Sequence, residues 1–193
     1  MAKRIEHIDS IRAIAVLLMV MVHAAATWGP PSTTQPSALV YAVSGLGGLA
    51  APLFVTVFGW GCVQGTSTRR QRSLRAAFFI VAQGAINASS PHLFEFWTPG
   101  VLTLFALLTL AQPLWLKALQ SEQIPTFHLT VLASFCIIFL APEFQGQSVW
   151  ASRIETEGIQ QWAGHALLTG TYPLFPWLMY AMVGAWIAFS DGK

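Results

Sequence analysis

Three residues near the amino terminus have types and spacing that could do chemistry. They stand in the run Arg4-Ile-Glu-His-Ile-Asp9-Ser-Ile-Arg12, which an apolar stretch follows up to His23. On a helix, Asp9 and Arg12 share one face, and Asp9 is placed to cap it. His23 lies eleven positions after Arg12. That spacing is three turns plus about 20°, so both side chains leave nearly the same stripe, about 16 Å apart along the axis. A cation at the lip of a membrane and an imidazole near its centre suit a long anionic molecule. Its head would stay at the rim while its reactive end reaches the middle. Neutral imidazole can take a proton near neutral pH, as metal-free acyl transfer to a hydroxyl or amine requires. Taken singly, Arg12 serves as a membrane-flanking anchor and Asp9 as a helix cap. His23 is different, because an ionisable ring deep in a bilayer is costly and tends to be functional.

The composition says what must hold these residues. Of 193 residues, 54% are hydrophobic and only 9% charged, against roughly 25% charged in a soluble domain. Ten basic and eight acidic side chains cannot wet a globular surface. A soluble enzyme, a disordered tail and a basic nucleic-acid binder are all excluded. Cys62 and Cys136 sit in apolar runs without a nearby partner, so neither a disulfide framework nor a metal site is expected.

Charges divide the chain into long uncharged runs. Ala13–Thr68 holds 56 residues without one, far more than the ~20 that a single crossing needs. Pro30, Pro31 and Pro36, with small polar neighbours, break it in two. The pattern predicts an all-α membrane bundle forming one domain over 1–193, with about six helices near 11–29, 38–63, 76–92, 98–118, 125–142 and 172–190. The runs lack the alternation of barrel strands. With the amino terminus inside, Lys3, Arg4, Arg12, Arg69, Arg70, Arg72, Arg75, Lys117 and Lys193 all fall on the cytoplasmic side, and Arg153 alone falls outside. That bias predicts an N-in, C-in orientation, and the expected location is a bacterial inner (cytoplasmic) membrane. Thr66–Arg75 reads as its main topological anchor. Ala13–Val22 followed by His23-Ala-Ala-Ala26 superficially resembles a signal peptide, but Glu6, Asp9 and the histidine beside the supposed cut argue against one. In the third span Gln83 and Asn87 are four apart, hence on one face, which should point into the bundle.

Asp9-x-x-Arg12, ten residues, then His23 resembles the opening helix of the transmembrane acyltransferase superfamily, which includes the acyltransferase-3, heparan-α-glucosaminide N-acetyltransferase-like and YeiB-like proteins. Ala51-Pro52-Leu53-Phe54 with Gly59 is similar to their Pro-Leu-Phe helix, and Pro99-Gly100-Val101-Leu102 to the Gly-Ile-Leu opening of a later one. Pro173-Leu-Phe-Pro176-Trp177, then Gly184, looks like the Pro-x-x-Pro-Trp…Gly helix of the heparan-glucosaminide branch. The matches run in family order over nearly the whole chain. The resemblance implies an acyl-CoA donor (acetyl-CoA) entering from the cytoplasm, with Arg12 and Asp9 at its head and His23 as base or acyl relay. It also implies a sugar or similar acceptor on the outer side. There His92, Glu95 and His165 are polar candidates, beside Phe94, Phe96, Trp97, Trp150 and Trp162. Those aromatics fit an interfacial belt better than a sugar site. Trp150, Ile154 and Trp162 could line one helix lying on the outer surface.

Two departures from the family pattern stand out. Six helices are fewer than members usually carry, and the loop Gly29–Ser37 lacks the histidine that the heparan-glucosaminide branch places there. The alternative is therefore a non-catalytic, acyltransferase-like subunit acting as a scaffold in a larger membrane assembly or homo-oligomer, with no cofactor. A small transporter is disfavoured, since no acid lies within a span and no paired broken helices are visible. The expected partner is the bilayer, not nucleic acid.

Overall fold

A computed structural model describes residues 6–28, 38–121, 125–140 and 151–191. Among them there are helices and turns but no strand, as a backbone without water demands. Helix α1 (Glu6–Trp28) starts early enough to enclose Asp9 in its first turn. Asp9 is therefore not the N-cap expected of it; it bonds Arg12 one turn on, Nη1 to Oδ1 at 3.3 Å.

The run predicted as one crossing at 38–63 forms two helices, α2 (Ala38–Gly47) and α3 (Ala50–Gln64), parted by Gly48 and Leu49. Helix α4 (Arg69–Ser89) begins seven residues before the predicted 76 because a capping box opens it. The Gln71 N–H donates to the Thr68 hydroxyl and the Thr68 N–H to the Gln71 side chain. Most of the expected basic loop is thus helical. Helices α5 (Val101–Leu119) and α6 (Thr126–Leu140) follow, then α7 (Ala151–Ile154), α8 (Ile159–Gly164) and a π-turn (His165–Thr169). The surface helix expected through Ile154 and Trp162 is split into α7 and α8, and Trp150 lies outside the described residues. Helix α9 (Leu174–Asp191) closes the chain, with Phe175 extended (φ −100°, ψ 125°) before Pro176, since a proline disfavours helical angles in the residue before it.

Among the described residues, fewer than six stretches are by themselves long and apolar enough to span a membrane. Three stretches, Glu6–Ala25, Val40–Gln64 and Val101–Leu119, are long and apolar enough to cross a membrane. A fourth exists if Ile159–Thr169 and Leu174–Ser190, bent by 44°, count as one. The other two fall short for visible reasons: α4 spends its first seven residues on four arginines, and the described apolar run in α6, Phe127–Cys136, is short. The two interrupted stretches also correct the expectation of unbroken helices. They pack on each other through α3 and α9.

That α3–α9 crossing is the core. Val55, Ala181, Met182 and Ala185 are buried there, joined by Leu104, Leu108 and Trp115 of α5. Gly59 lies on the Ala181 carbonyl and Gly184 on the Thr56 carbonyl, where any Cβ would overlap. Small residues let two backbones approach this closely in lipid. Helix α4 lies along α5, where the Phe79 ring packs tilted against Phe105, 5.8 Å between centroids. Helix α1 runs antiparallel to the α2–α3 pair, with the Arg12 guanidinium beside Gly61 and Val22 against Gly47. Its other side presents Ile14, Leu17 and Val20 outward, an apolar face suited to hydrocarbon.

Candidate functional site

Four helices each give one stripe to a cavity of about 630 Å³ at the arginine-rich end. Arg12 and Val16 come from α1, Phe54, Val57, Phe58, Gly61 and Cys62 from α3, Arg75 and Phe79 from α4, and Phe105, Thr109 and Gln112 from α5. Arg12 and Val16, Phe54, Phe58 and Gly61, Arg75 and Phe79, and Phe105, Thr109 and Gln112 recur at three- or four-residue steps, the repeat of one helical face. The deep walls are aliphatic and aromatic. At the mouth stand two guanidiniums, and no carboxylate is among the described lining residues. Asp9 bonds the Arg12 guanidinium at 3.3 Å.

Gln112 braces this mouth. Its Nε2 donates to the Cys62 carbonyl at 3.0 Å, and its Oε1 accepts from the Ser67 hydroxyl at 3.3 Å. The Ser67 carbonyl in turn accepts from Arg72 Nη1. The strip Gly65–Ser67 is thereby held as a partition, with a smaller cavity of about 360 Å³ behind it, lined by Arg72, Leu116 and Phe189.

His23 lies on the same helix as Arg12 but outside the residues lining this cavity, whose α1 edge ends at Val16. It is exposed on the bundle and not sealed among apolar neighbours. Its Nδ1–H donates to the Met19 carbonyl at 2.8 Å. A carbonyl can only accept, so this bond selects the tautomer whose lone pair is on Nε2.

The opposite end holds a larger cavity of about 880 Å³, lined by Gln83, Asn87, Phe96, Trp97, Thr156 and Trp162, among others. Gln83 and Asn87 do point inward, 8% and 1% exposed. They form a staple. Gln83 Nε2 donates to Asn87 Oδ1 at 2.9 Å, and Asn87 Nδ2 donates to the Phe96 and Thr98 carbonyls. Gln83 Oε1 accepts the Leu102 N–H at 3.1 Å, one of the orphan donors that opens α5. A Cβ at position 100 would meet the Gln83 carboxamide, which would have to shift and give up its place against the start of α5. Thr98 donates to the Ile154 carbonyl and Glu95 accepts the Thr156 N–H, so the 95–98 turn holds the 154–156 segment.

The structure brings Glu95 and His165 to that segment, but neither they nor His92 line the cavity. His92 and Glu95 are exposed. His165 is buried, its Nε2–H donating to the Glu155 carbonyl at 3.1 Å and its Nδ1 lying 3.0 Å from the Thr169 hydroxyl. Among the described residues no three of His, Cys, Asp and Glu gather as a metal site, and both thiols are free. Sequence reasoning missed Arg75 and Gln112. Arg75 was hidden in a charge run, and a lone glutamine in an apolar helix was the available signal for Gln112.

Fold and site together define a helical integral membrane protein with a guanidinium-mouthed cavity between its helices. The family model for heparan-alpha-glucosaminide N-acetyltransferase, catalytic, matches residues 4–190, and the chain belongs to that membrane acetyltransferase-like family. No curated protein and no solved structure gives a match.

Proposed function

We propose that this chain transfers an acyl group, acetyl in the simplest case, from a cytoplasmic acyl-CoA to a sugar or similar acceptor across a bacterial inner membrane. The observation that carries the proposal is the 630 Å³ cavity, apolar in its depth and cationic at its mouth. Guanidiniums bind phosphates through paired charge-assisted hydrogen bonds, and an apolar slot suits a pantetheine arm with its thioester. Arg12 would meet the head, with Asp9 fixing the guanidinium through the 3.3 Å bond. His23 would take the acceptor's proton on Nε2 as the acceptor oxygen or nitrogen bonds the acyl carbon and the thioester C–S bond breaks. The acceptor would arrive from the opposite end, where His92 and Glu95 stand exposed and His165 holds the adjoining segment in place.

The test is His23→Ala in membranes or mild detergent, with acetyl transfer from labelled acetyl-CoA as the readout. Loss of transfer with normal membrane insertion is expected. Unchanged transfer removes His23 from the chemistry.

One observation favours the second reading, a non-catalytic subunit of a larger membrane assembly. His23 and the outward Ile14, Leu17 and Val20 lie on a helix that packs mainly along α2 and α3 among the described elements, leaving a face that other chains could cover. Stoichiometric co-purification of other subunits without bound acyl-CoA would support that reading.

A further inference from the structure

We infer that the 880 Å³ cavity at the end away from the arginines holds one hydrocarbon chain of a membrane lipid whose head group carries an ammonium; the inference stands apart from the acyl-transfer reading. Helix α4 supplies the long wall through Ile80, Val81, Gly84, Ala85 and Ala88, which recur at the three- and four-residue steps of one helical face. From Ile80 to Ala88 that wall runs about 12 Å along the axis. One leaflet's hydrocarbon is about 15 Å deep, so the slot spans most of it. Its middle is built from small residues. A methyl added at Gly84 would meet nothing closer than the Phe96 ring, at 3.6 Å. The amides of Gln83 and Asn87, also in the wall, are turned to each other and to main chain. The wall therefore suits a hydrocarbon better than a hydroxyl-rich guest.

The two ends of the slot differ. Ile80 and Val81 stand 42% and 71% exposed at one end, open sideways to hydrocarbon. At the other, where α4 gives way to its following turn, Phe96 and Trp97 pack edge to face, 4.8 Å between centroids. Trp97, Trp162, Thr156 and Glu157 complete that rim. Indole rings favour the depth of lipid head groups. The rim is fastened in advance, since Thr98 donates to the Ile154 carbonyl and Glu95 accepts the Thr156 N–H. A polar, aromatic rim that opens into an apolar slot matches an amphiphile standing in its own leaflet. Charge narrows the choice of head group. Glu157 is the one carboxylate among the described lining residues, which include no cation. An anionic head would be repelled there, whereas an ammonium is attracted both by the carboxylate and by indole faces.

The experiment places the full chain in nanodiscs of phosphatidylethanolamine and phosphatidylglycerol. A trace of either lipid, carrying a photoreactive diazirine in its acyl chain, is added in turn, and cross-linked peptides are mapped by mass spectrometry. Labelling of α4 between Ile80 and Ala88 is expected to exceed several-fold that of Ile14, Leu17 and Val20, the outward face of α1 that meets bulk lipid. Gly84→Leu, which fills the slot, should bring the two faces level, while Gly84→Ala should keep the difference. If Gly84→Leu does not survive purification, Ala88→Phe carries the same comparison. Equal labelling of both faces in the native protein overturns the proposal, as does a filled slot that labels like the native one. An α4 wall left unlabelled because a second copy or another subunit covers it overturns the proposal too. The ethanolamine lipid should label the slot about two- to fivefold more than the glycerol lipid, the worth of one exposed carboxylate–ammonium pair. Glu157→Gln should remove that preference. A native protein without it, or a Glu157→Gln protein that keeps it, overturns the choice of head group.

Discussion

Gly59 lies directly on the main-chain carbonyl of Ala181, and one turn along α9 the arrangement is returned, Gly184 lying on the carbonyl of Thr56. The nearest atoms are backbone, which cannot swing aside. Gly59→Ala and Gly184→Ala should each destabilise the bundle by about 1–3 kcal/mol or more, the cost of overpacking a fixed core. Gly45→Ala is the control, since nothing lies within 4 Å of its added methyl. Thermal unfolding in detergent, followed by monodispersity, decides the matter; equal midpoints for all three would contradict the close crossing.

Asn87 holds two loop carbonyls and the Gln83 amide with one side chain. Asn87→Leu keeps the bulk and removes every bond, so buried acceptors are left without donors, at about 1–3 kcal/mol each. Increased protease cleavage between residues 90 and 100, with α3–α9 packing retained, is the expected sign.

His165 ties the π-turn to the segment before α8 by both ring nitrogens. His165→Leu should lower the unfolding midpoint, by the cost of an unpaired Glu155 carbonyl, roughly 1–3 kcal/mol. Coenzyme A affinity, read at the far end of the bundle, should not move. A loss of that affinity in a folded variant would link the two ends.

The Asp9–Arg12 pair is half-exposed, and pairs of that kind contribute about 0–1 kcal/mol. Asp9→Asn should therefore leave the melting temperature nearly unchanged. If Asp9 positions Arg12, the KM for the acyl donor should rise several-fold while kcat holds. A fall in kcat at unchanged KM would assign Asp9 a different task.

Membrane character and helical class were legible because hydrocarbon tolerates few charges, and 9% is few. The inward face of Gln83 and Asn87 was legible from a spacing of four. Helix ends were harder. The Thr68–Gln71 capping box extends α4 back through Arg69–Arg75, and no hydropathy sum registers a hydrogen bond between two local side chains. The division at Gly48-Leu49 was invisible for the opposite reason: both sides are equally apolar. The cavity could not be read at all, because it exists only where stripes of four helices distant in sequence converge. One of its arginines, Arg12, was singled out by its place beside a histidine. The other, Arg75, was masked by three identical neighbours.

The two chambers at the arginine end are kept apart by a strip of three residues, Gly65–Ser67, and that strip hangs from the amide of Gln112. One carboxamide thus ties the dividing strip to α3 and α5. Shortening that side chain is expected to let the compartments fuse and admit bulkier guests, a breadth tuned from a helix that carries none of the proposed reactive groups.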